Sequence, residues 1–397
     1  MRQPTAKQPG RHQRGATGGE GAEGLPRGDV VDFDLQGLVG IRLVGASPDD
    51  AARVSRQIGP VRGAIQGSPD ILIRFVDRLP GSGPTRYLGW NDAGFTDDAF
   101  LVFRSRRGGA VRAQIDLAQI GRGCEILCQS GLSGVPLLIP ILNLTVLAKG
   151  IIPVHASSFS LDGTGVLVAG WAKGGKTEAL LGFMSRGARY IGDEWVYVDP
   201  DGGRLYGIPE PMKVWDWHLE EVPQFRSGLS GPERIRLRVM KVGERLERSF
   251  ARGVRGAKGP TKATEPVASL VTRRRFVRVP PARLFGSASC VLTGSLDRIF
   301  LVVSHDSSRV SVEPADPQEV ARRIVFSSQH ERLDFLSYYY KFRFAFPDAP
   351  NSHLDGAEEA QLQGLLKAFA GKQAHVVYHP YPAPILEMAN AMAPMIR

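Results

Sequence analysis

Gly170, Trp171, Ala172, Lys173, Gly174, Gly175, Lys176 and Thr177 form an unbroken G-x-x-x-x-G-K-[ST] run, the spacing of a loop that cradles nucleotide phosphates. Its glycines let the backbone curl so that successive N–H groups face one anion. The start of the following helix adds partial positive charge. Lys176 is then spaced to reach the outer phosphates, and the Thr177 hydroxyl to hold Mg²⁺. The flanks agree with this reading. A β-prone stretch from Gly165 to Ala169 leads in, and a helix-forming stretch from Glu178 to Met184 leads out. The run predicts binding of a nucleoside triphosphate.

An acidic pair follows closely. Ala188 to Val198 reads as a strand interrupted by Asp193-Glu194, one short helix and an Arg186-Gly187 turn after the loop. A helix of about eleven residues spans roughly 16 Å, so this strand is expected to lie beside the one that feeds the loop. Either Asp193 or Glu194 would then reach the metal or the phosphates.

The block from His155 to Val198 resembles the catalytic domain of the HPr kinase/phosphorylase family and its wider set of HPr-kinase-like proteins. The resemblance is carried by His155, Gly170 to Thr177, Glu178, Leu180, Leu181, Arg186-Gly187 and Asp193-Glu194. It extends weakly to what are expected to be later strands, Pro281 to Gly286 and Arg298 to Ser304. The resemblance implies an α/β fold with a P-loop kinase core, a mixed sheet with flanking helices. It implies ATP and Mg²⁺ as cosubstrate and cofactor, and transfer of the γ-phosphoryl group to a hydroxyl. It gives Asp193 the role of base toward that hydroxyl, and Glu194 a place on the metal beside Thr177. Glu178 is implied as a further member of the metal shell, and His155 as a neighbour of the phosphates. Two departures matter. Glu194 stands where the family usually has Asp, and the I-E-[IV]-R-G-[LI]-G run of true HPr kinases is missing. The implied acceptor is therefore a Ser or Thr of a peptide or protein other than HPr, with a small-molecule acceptor or a nucleotide-sensing module without transfer as alternatives. A homo-oligomer is also implied.

The elements that must position these residues can be read coarsely. Residues 1–28 are rich in Gly, Gln, Arg and Pro without an apolar core and read as a disordered tail. Residues 29–133 read as a smaller α/β or β-rich amino-terminal domain, with strands near Gly40–Val44, Ile71–Val76 and Ala99–Phe103. A helix is capped there by Ser47. Residues 134–397 form the nucleotide-binding part. Its first helix is expected after Pro140 and feeds the strand before His155. Asp199 to Arg204 is a hairpin turn. Lys213 to His218, with Trp215 and Trp217, reads either as an acceptor pocket or as core packing with a polar edge. Asp316-Pro317 starts a helix that runs past Arg332, Tyr338 to Tyr340 read as packing, and His375–Tyr378 and Pro384–Met395 read as a last strand and a docking helix.

Composition bounds the partners. The chain has 397 residues, 43% of them hydrophobic, enough for a large core in two domains. Its three cysteines make no disulfide framework, and Cys124 and Cys128 read as buried rather than ligating. No secretory signal is visible, and the run from Val135 to Ile152 is too broken to span a membrane. These features describe a cytoplasmic protein. The net charge of +10 is local: Arg226 to Arg283 holds sixteen Lys or Arg against four Glu, which leaves about −2 elsewhere. Within that stretch Ser249 to Pro266 reads as a mobile basic loop. It is either solvated or a lid for phosphates or an acidic acceptor. Almost no aromatics interleave the charges, which argues against nucleic acid.

Overall fold

The computed structural model describes residues 29–81, 83–89, 92–106, 109–201, 203–241 and 276–396. The expected tail (1–28), the basic loop (249–266) and Arg273–Arg275 lie outside the described residues. The fold is mixed α/β, with several sheets flanked by helices.

The chain first builds an eight-stranded sheet from β1 (Asp29–Leu35), β2 (Val39–Ala46), β3 (Ile71–Val76), β4 (Arg86–Leu88), β5 (Ala93–Phe95), β6 (Phe100–Arg106), β7 (Gly109–Ile115) and β8 (Cys124–Gln129). Their order is β1-β2-β3-β8-β7-β6-β5-β4. Alternate residues of β2 and β3 are buried, so one face is covered. The helix α1 (Pro48–Ile58) crosses from β2 to the parallel β3. Ser47 caps it as expected, in a reciprocal box with Asp50. Cys124 and Cys128 are both buried in β8, and burial pushes the Cys124 thiol up to about 12.

The helix α2 (Leu138–Ala148) follows and starts earlier than expected. Pro140 lies inside its first turn, where the missing N–H would have had no intrahelical partner. Then come β9 (Ile152–Val154), β10 (Ala156–Leu161), β11 (Thr164–Gly170), α3 (Lys176–Met184), β12 (Arg189–Gly192), β13 (Val196–Asp199), β14 (Arg204–Gly207), β15 (Met212–Trp215), β16 (Phe276–Val279), β17 (Thr293–Ser295), β18 (Arg298–Ser304), β19 (Ser311–Ala315), the long helix α4 (Pro317–Ala345), α5 (Ala357–Phe369), β20 (Gln373–His379) and α6 (Ile385–Met392). Six strands form the central sheet, β12-β10-β11-β18-β20-β19, and β17-β14-β13-β9 form a smaller one. Val166 and Val168 of β11 pack into one cluster with α3 and α6. Leu167 and Ala169 point the other way, toward Val320, Ala321 and Ile324 of α4.

Three expectations are corrected here. The acidic strand does not lie beside β11. The β10–β11 hairpin occupies that edge, so α3 carries the chain over β10 to β12. The stretch 188–198 is also two strands in two sheets: β12 pairs with β10, whereas β13 pairs with β9 and β14. Asp193 and Glu194 fill the step between them. The sheets approach closely there, since a Cβ on Gly207 would lie 1.8 Å from the Ile191 carbonyl oxygen. Pro281–Phe285, expected as a strand, is a short helix with proline in its first turn. The hairpin at Asp199–Arg204, the proline-started helix α4 capped by Asp316, β20 and α6 are found where expected. Of the three tyrosines, Tyr339 is buried and Tyr340 is exposed.

The core of the eight-stranded sheet is continuous with that of the later sheets, running through α2, α4 and α5. Asn351 fastens this junction from the polar side. Its buried side-chain amide donates to the carbonyls of Leu117, Ala118 and Ile120 while its oxygen caps the next turn. Among the described residues no helix is long and apolar enough to cross a membrane. Asn351→Ala strands those buried carbonyls and is expected to cost about 2–4 kcal/mol, measurable as a lower denaturation midpoint for the whole chain.

Candidate functional site

The loop Gly170–Thr177 bridges β11 and α3 as its spacing requires. Lys173 (φ 61°) and Gly175 (φ 98°) take left-handed backbone, and Gly175 stands at the helix N-cap. A side chain there would be strained and would also meet His379, whose Nε2 lies 2.8 Å from the Gly174 carbonyl oxygen. Ser327 of α4 donates to the Gly170 carbonyl at 3.0 Å, fixing the loop's entry from the other sheet face.

Lys176 is buried and folded back, donating to the carbonyls of Trp171 (2.9 Å) and Gly170 (3.3 Å). Burial lowers its pKa, against the opposing fields of Glu194, Asp193, Glu331 and Glu178. The Thr177 hydroxyl lies 3.1 Å from both carboxyl oxygens of Asp193, and Ser157 donates to Asp193 Oδ1 at 2.6 Å. Asp193 is almost fully buried. Burial, then the adjacent Glu194, push its pKa up to about 6, while the Ser157 and Thr177 hydrogen bonds hold it back.

Glu194 turns the other way. Its backbone is left-handed (φ 68°), an uncommon conformation for a side chain of this size. Its carboxylate accepts from Lys213 Nζ at 2.6 Å and from His155 Nε2 at 3.3 Å. Burial opposes ionisation, but His155 and Lys213 outweigh it and hold the carboxyl far below the usual range. The other ring nitrogen of His155 is 3.1 Å from Glu331 Oε1 of α4, at ion-pair distance but off hydrogen-bond alignment. Burial lowers the pKa of His155, and the carboxylates of Glu194 and Glu331 raise it by more. Glu178 reaches away from Thr177, to His218 Nε2 at 3.0 Å. Burial raises its pKa, and His218 overcomes this to leave it lowered.

The predicted residues thus fall into three groups. Lys176, Thr177 and Asp193 share the mouth of the loop. Glu194 and His155 form a charged chain beside it with Lys213 and Glu331. Glu178 is engaged with His218 under Trp215 and Trp217, whose rings meet His218 at 5.1 and 4.2 Å. His218 is fully buried, whereas Trp215 and Trp217 are half-buried. Ser157, Lys213, Glu331, His379 and Glu210 were not singled out from sequence. Glu210 has one carboxyl oxygen shut off from solvent and unpartnered. Burial, then Glu194 and Asp193, raise its pKa well above the usual range. No local signal set Ser157 apart, since it is one of three serines in β10.

Among the described residues no three His, Cys, Asp or Glu side chains converge on a metal position. The Thr177 hydroxyl and Asp193 carboxylate nevertheless offer hard oxygen donors at one point. That fits Mg²⁺, which uses one or two protein oxygens and completes its shell with substrate phosphates and water. No family model matches the chain, and comparison with curated proteins finds no matching relative.

The raised pKa of Asp193 has a thermodynamic consequence. A carboxyl whose pKa is higher folded than unfolded favours folding below its unfolded value, near 4, and loses that contribution as pH rises through about 6. Asp193→Asn keeps an acceptor for Ser157 and Thr177 without the buried charge. It is expected to stabilise the metal-free protein at pH 7.5, on the order of 2 kcal/mol, with the gain shrinking toward pH 4. Thermal denaturation of both proteins across that range checks the sign.

Proposed function

We propose that this chain is an ATP- and Mg²⁺-dependent kinase of the HPr-kinase-like class, with a P-loop kinase core. Its acceptor is a hydroxyl, a Ser or Thr of a peptide or protein. One observation carries the reading: at the mouth of Gly170–Thr177, the Thr177 hydroxyl lies 3.1 Å from both oxygens of a buried aspartate. A glycine turn serving only to link a strand and a helix has no use for that arrangement. The resemblance of His155–Val198 to the family supports the same conclusion.

The geometry supports the following roles. Loop N–H groups and the amino end of α3 receive the β- and γ-phosphates. Lys176 exchanges its two carbonyl contacts for phosphate oxygens, a charge-assisted and stronger set of bonds. Thr177 and Asp193 would hold Mg²⁺, whose charge would offset that of the phosphates. Asp193, as the carboxylate, takes the proton of the incoming hydroxyl as its oxygen bonds to the γ-phosphorus. The bond to the β–γ bridging oxygen breaks, and ADP leaves with the electron pair. Lys213 and His155 hold Glu194 ionised beside this centre, so it contributes negative charge without competing for the proton. Positioning and charge neutralisation supply most of the rate.

Lys176→Ala is expected to abolish transfer from γ-labelled ATP and to weaken ATP binding at least tenfold. Asp193→Asn should leave ATP affinity within a few-fold while transfer falls by 10² or more. Incubation with source-cell lysate and separation of labelled species by mass identifies the acceptor. ATP binding with no labelled acceptor would replace the kinase by a nucleotide-sensing module, and undiminished transfer in Asp193→Asn would sink the base assignment.

A further inference from the structure

We propose that the cleft between the phosphate loop, the carboxyl end of β18 and the amino-terminal half of α4 is a purine-base site. The proposal rests on reading Gly170–Thr177 as a nucleotide-phosphate loop and deepens it by naming the base class. The cleft has a volume of about 510 Å³ and is walled by the outer rim of the loop (Gly170 to Gly174), by Leu301 to Ser304, and by Arg323, Phe326 and Ser327 of α4. That volume suits a base with its ribose.

Three observations converge on this cleft. First, it holds two large rings that face solvent, Trp171 at 53% and Phe326 at 64% exposure. Trp171 is supported from behind by His330, stacked at 4.8 Å between centroids and 28° between planes. A ring backed on one side and open on the other is a stacking platform. Second, the sheet order β12-β10-β11-β18 sets the cleft and the acidic pair on opposite flanks of β11. A nucleotide lying across the loop mouth, with its outer phosphates toward Thr177 and Asp193, extends its other end toward β18. The carboxyl ends of parallel strands are where open α/β sheets bind such ligands. Third, the polar side chains in the lining are Lys173, Ser304, Arg323 and Ser327. Ser327 is committed to the Gly170 carbonyl and Arg323 is paired with Glu319, so Lys173 and the Ser304 hydroxyl remain to read the base edge. Lys173 only donates hydrogen bonds and matches N7, an acceptor on both adenine and guanine. The Ser304 hydroxyl can accept from the adenine amine or donate to guanine O6. The larger stacking area of a purine on Trp171 and Phe326 therefore favours purines over pyrimidines, and this edge separates adenine from guanine poorly.

Tyr381, 75% exposed after β20 and next to α6, is the competing platform on the opposite sheet face. Calorimetric titration of the full chain with Mg·ATP, Mg·GTP, Mg·CTP and Mg·tripolyphosphate tests the assignment, using the wild type and the Trp171→Ala, Phe326→Ala and Tyr381→Ala variants. ATP and GTP should bind within about threefold of each other and CTP more weakly. Trp171→Ala and Phe326→Ala should each weaken ATP about tenfold, as loss of one stacking partner does. Tripolyphosphate affinity should stay unchanged in Phe326→Ala, which also reports that this variant is folded. Unchanged ATP affinity in both cleft variants, or a loss confined to Tyr381→Ala, overturns the base site while leaving the phosphate loop intact. Failure of the wild type to bind either ATP or tripolyphosphate overturns the phosphate-loop reading and this proposal together.

Discussion

The hydrogen bonds that Ser157 and Thr177 donate to Asp193 hold together everything else in the site. Ser157 comes from β10, Thr177 from the first turn of α3, and Asp193 from the step between β12 and β13. These three segments reach one point only because the β10–β11 hairpin blocks direct pairing of β11 with β12. The carboxylate is buried at some cost, and its two hydroxyl partners reduce that cost without cancelling it.

The charges around it are arranged in complementary pairs. Lys213 and His155 serve Glu194, Glu331 serves His155, and His218 serves Glu178. Within this arrangement the exceptions are informative. Lys176 rests on neutral carbonyl oxygens, and Asp193 on neutral hydroxyls. At the loop mouth, Lys176 and Asp193 thus rest on neutral partners. In the proposed reading, their charges serve the phosphates and a cation.

Much of this was legible in the sequence, because the legible parts depend on local spacing. The loop, its flanking strand and helix, the Ser47 cap, the hairpin at Asp199–Arg204 and the proline-started α4 are all encoded within a few residues. The acidic pair was visible too, but its surroundings were not. Nothing local says that β12 pairs with β10 or that residue 193 begins a passage between two sheets, since strand order depends on contacts far apart in sequence. Lys213, Glu331 and His379 reach the site from elements 19 to 205 residues distant, and no periodicity marks them. Pro281–Phe285 misled because five mostly apolar residues suit a short strand as well as one helical turn.

The helix α4 is held at both ends of a long span. Near its start Ser327 grips the loop backbone at Gly170. Near its finish Lys341 pairs with Asp92 and Phe342 packs edge-on against Phe100 of the eight-stranded sheet, at 5.6 Å. Between those anchors lie roughly four helical turns with 1.5 Å of rise and about 100° of rotation per residue. A rod clamped in this way has a fixed phase as well as a fixed length. One residue inserted or deleted between Ser327 and Lys341 would swing one clamp a quarter turn or more away from its partner. The residue count of this segment is therefore under tighter geometric constraint than the identity of its exposed side chains.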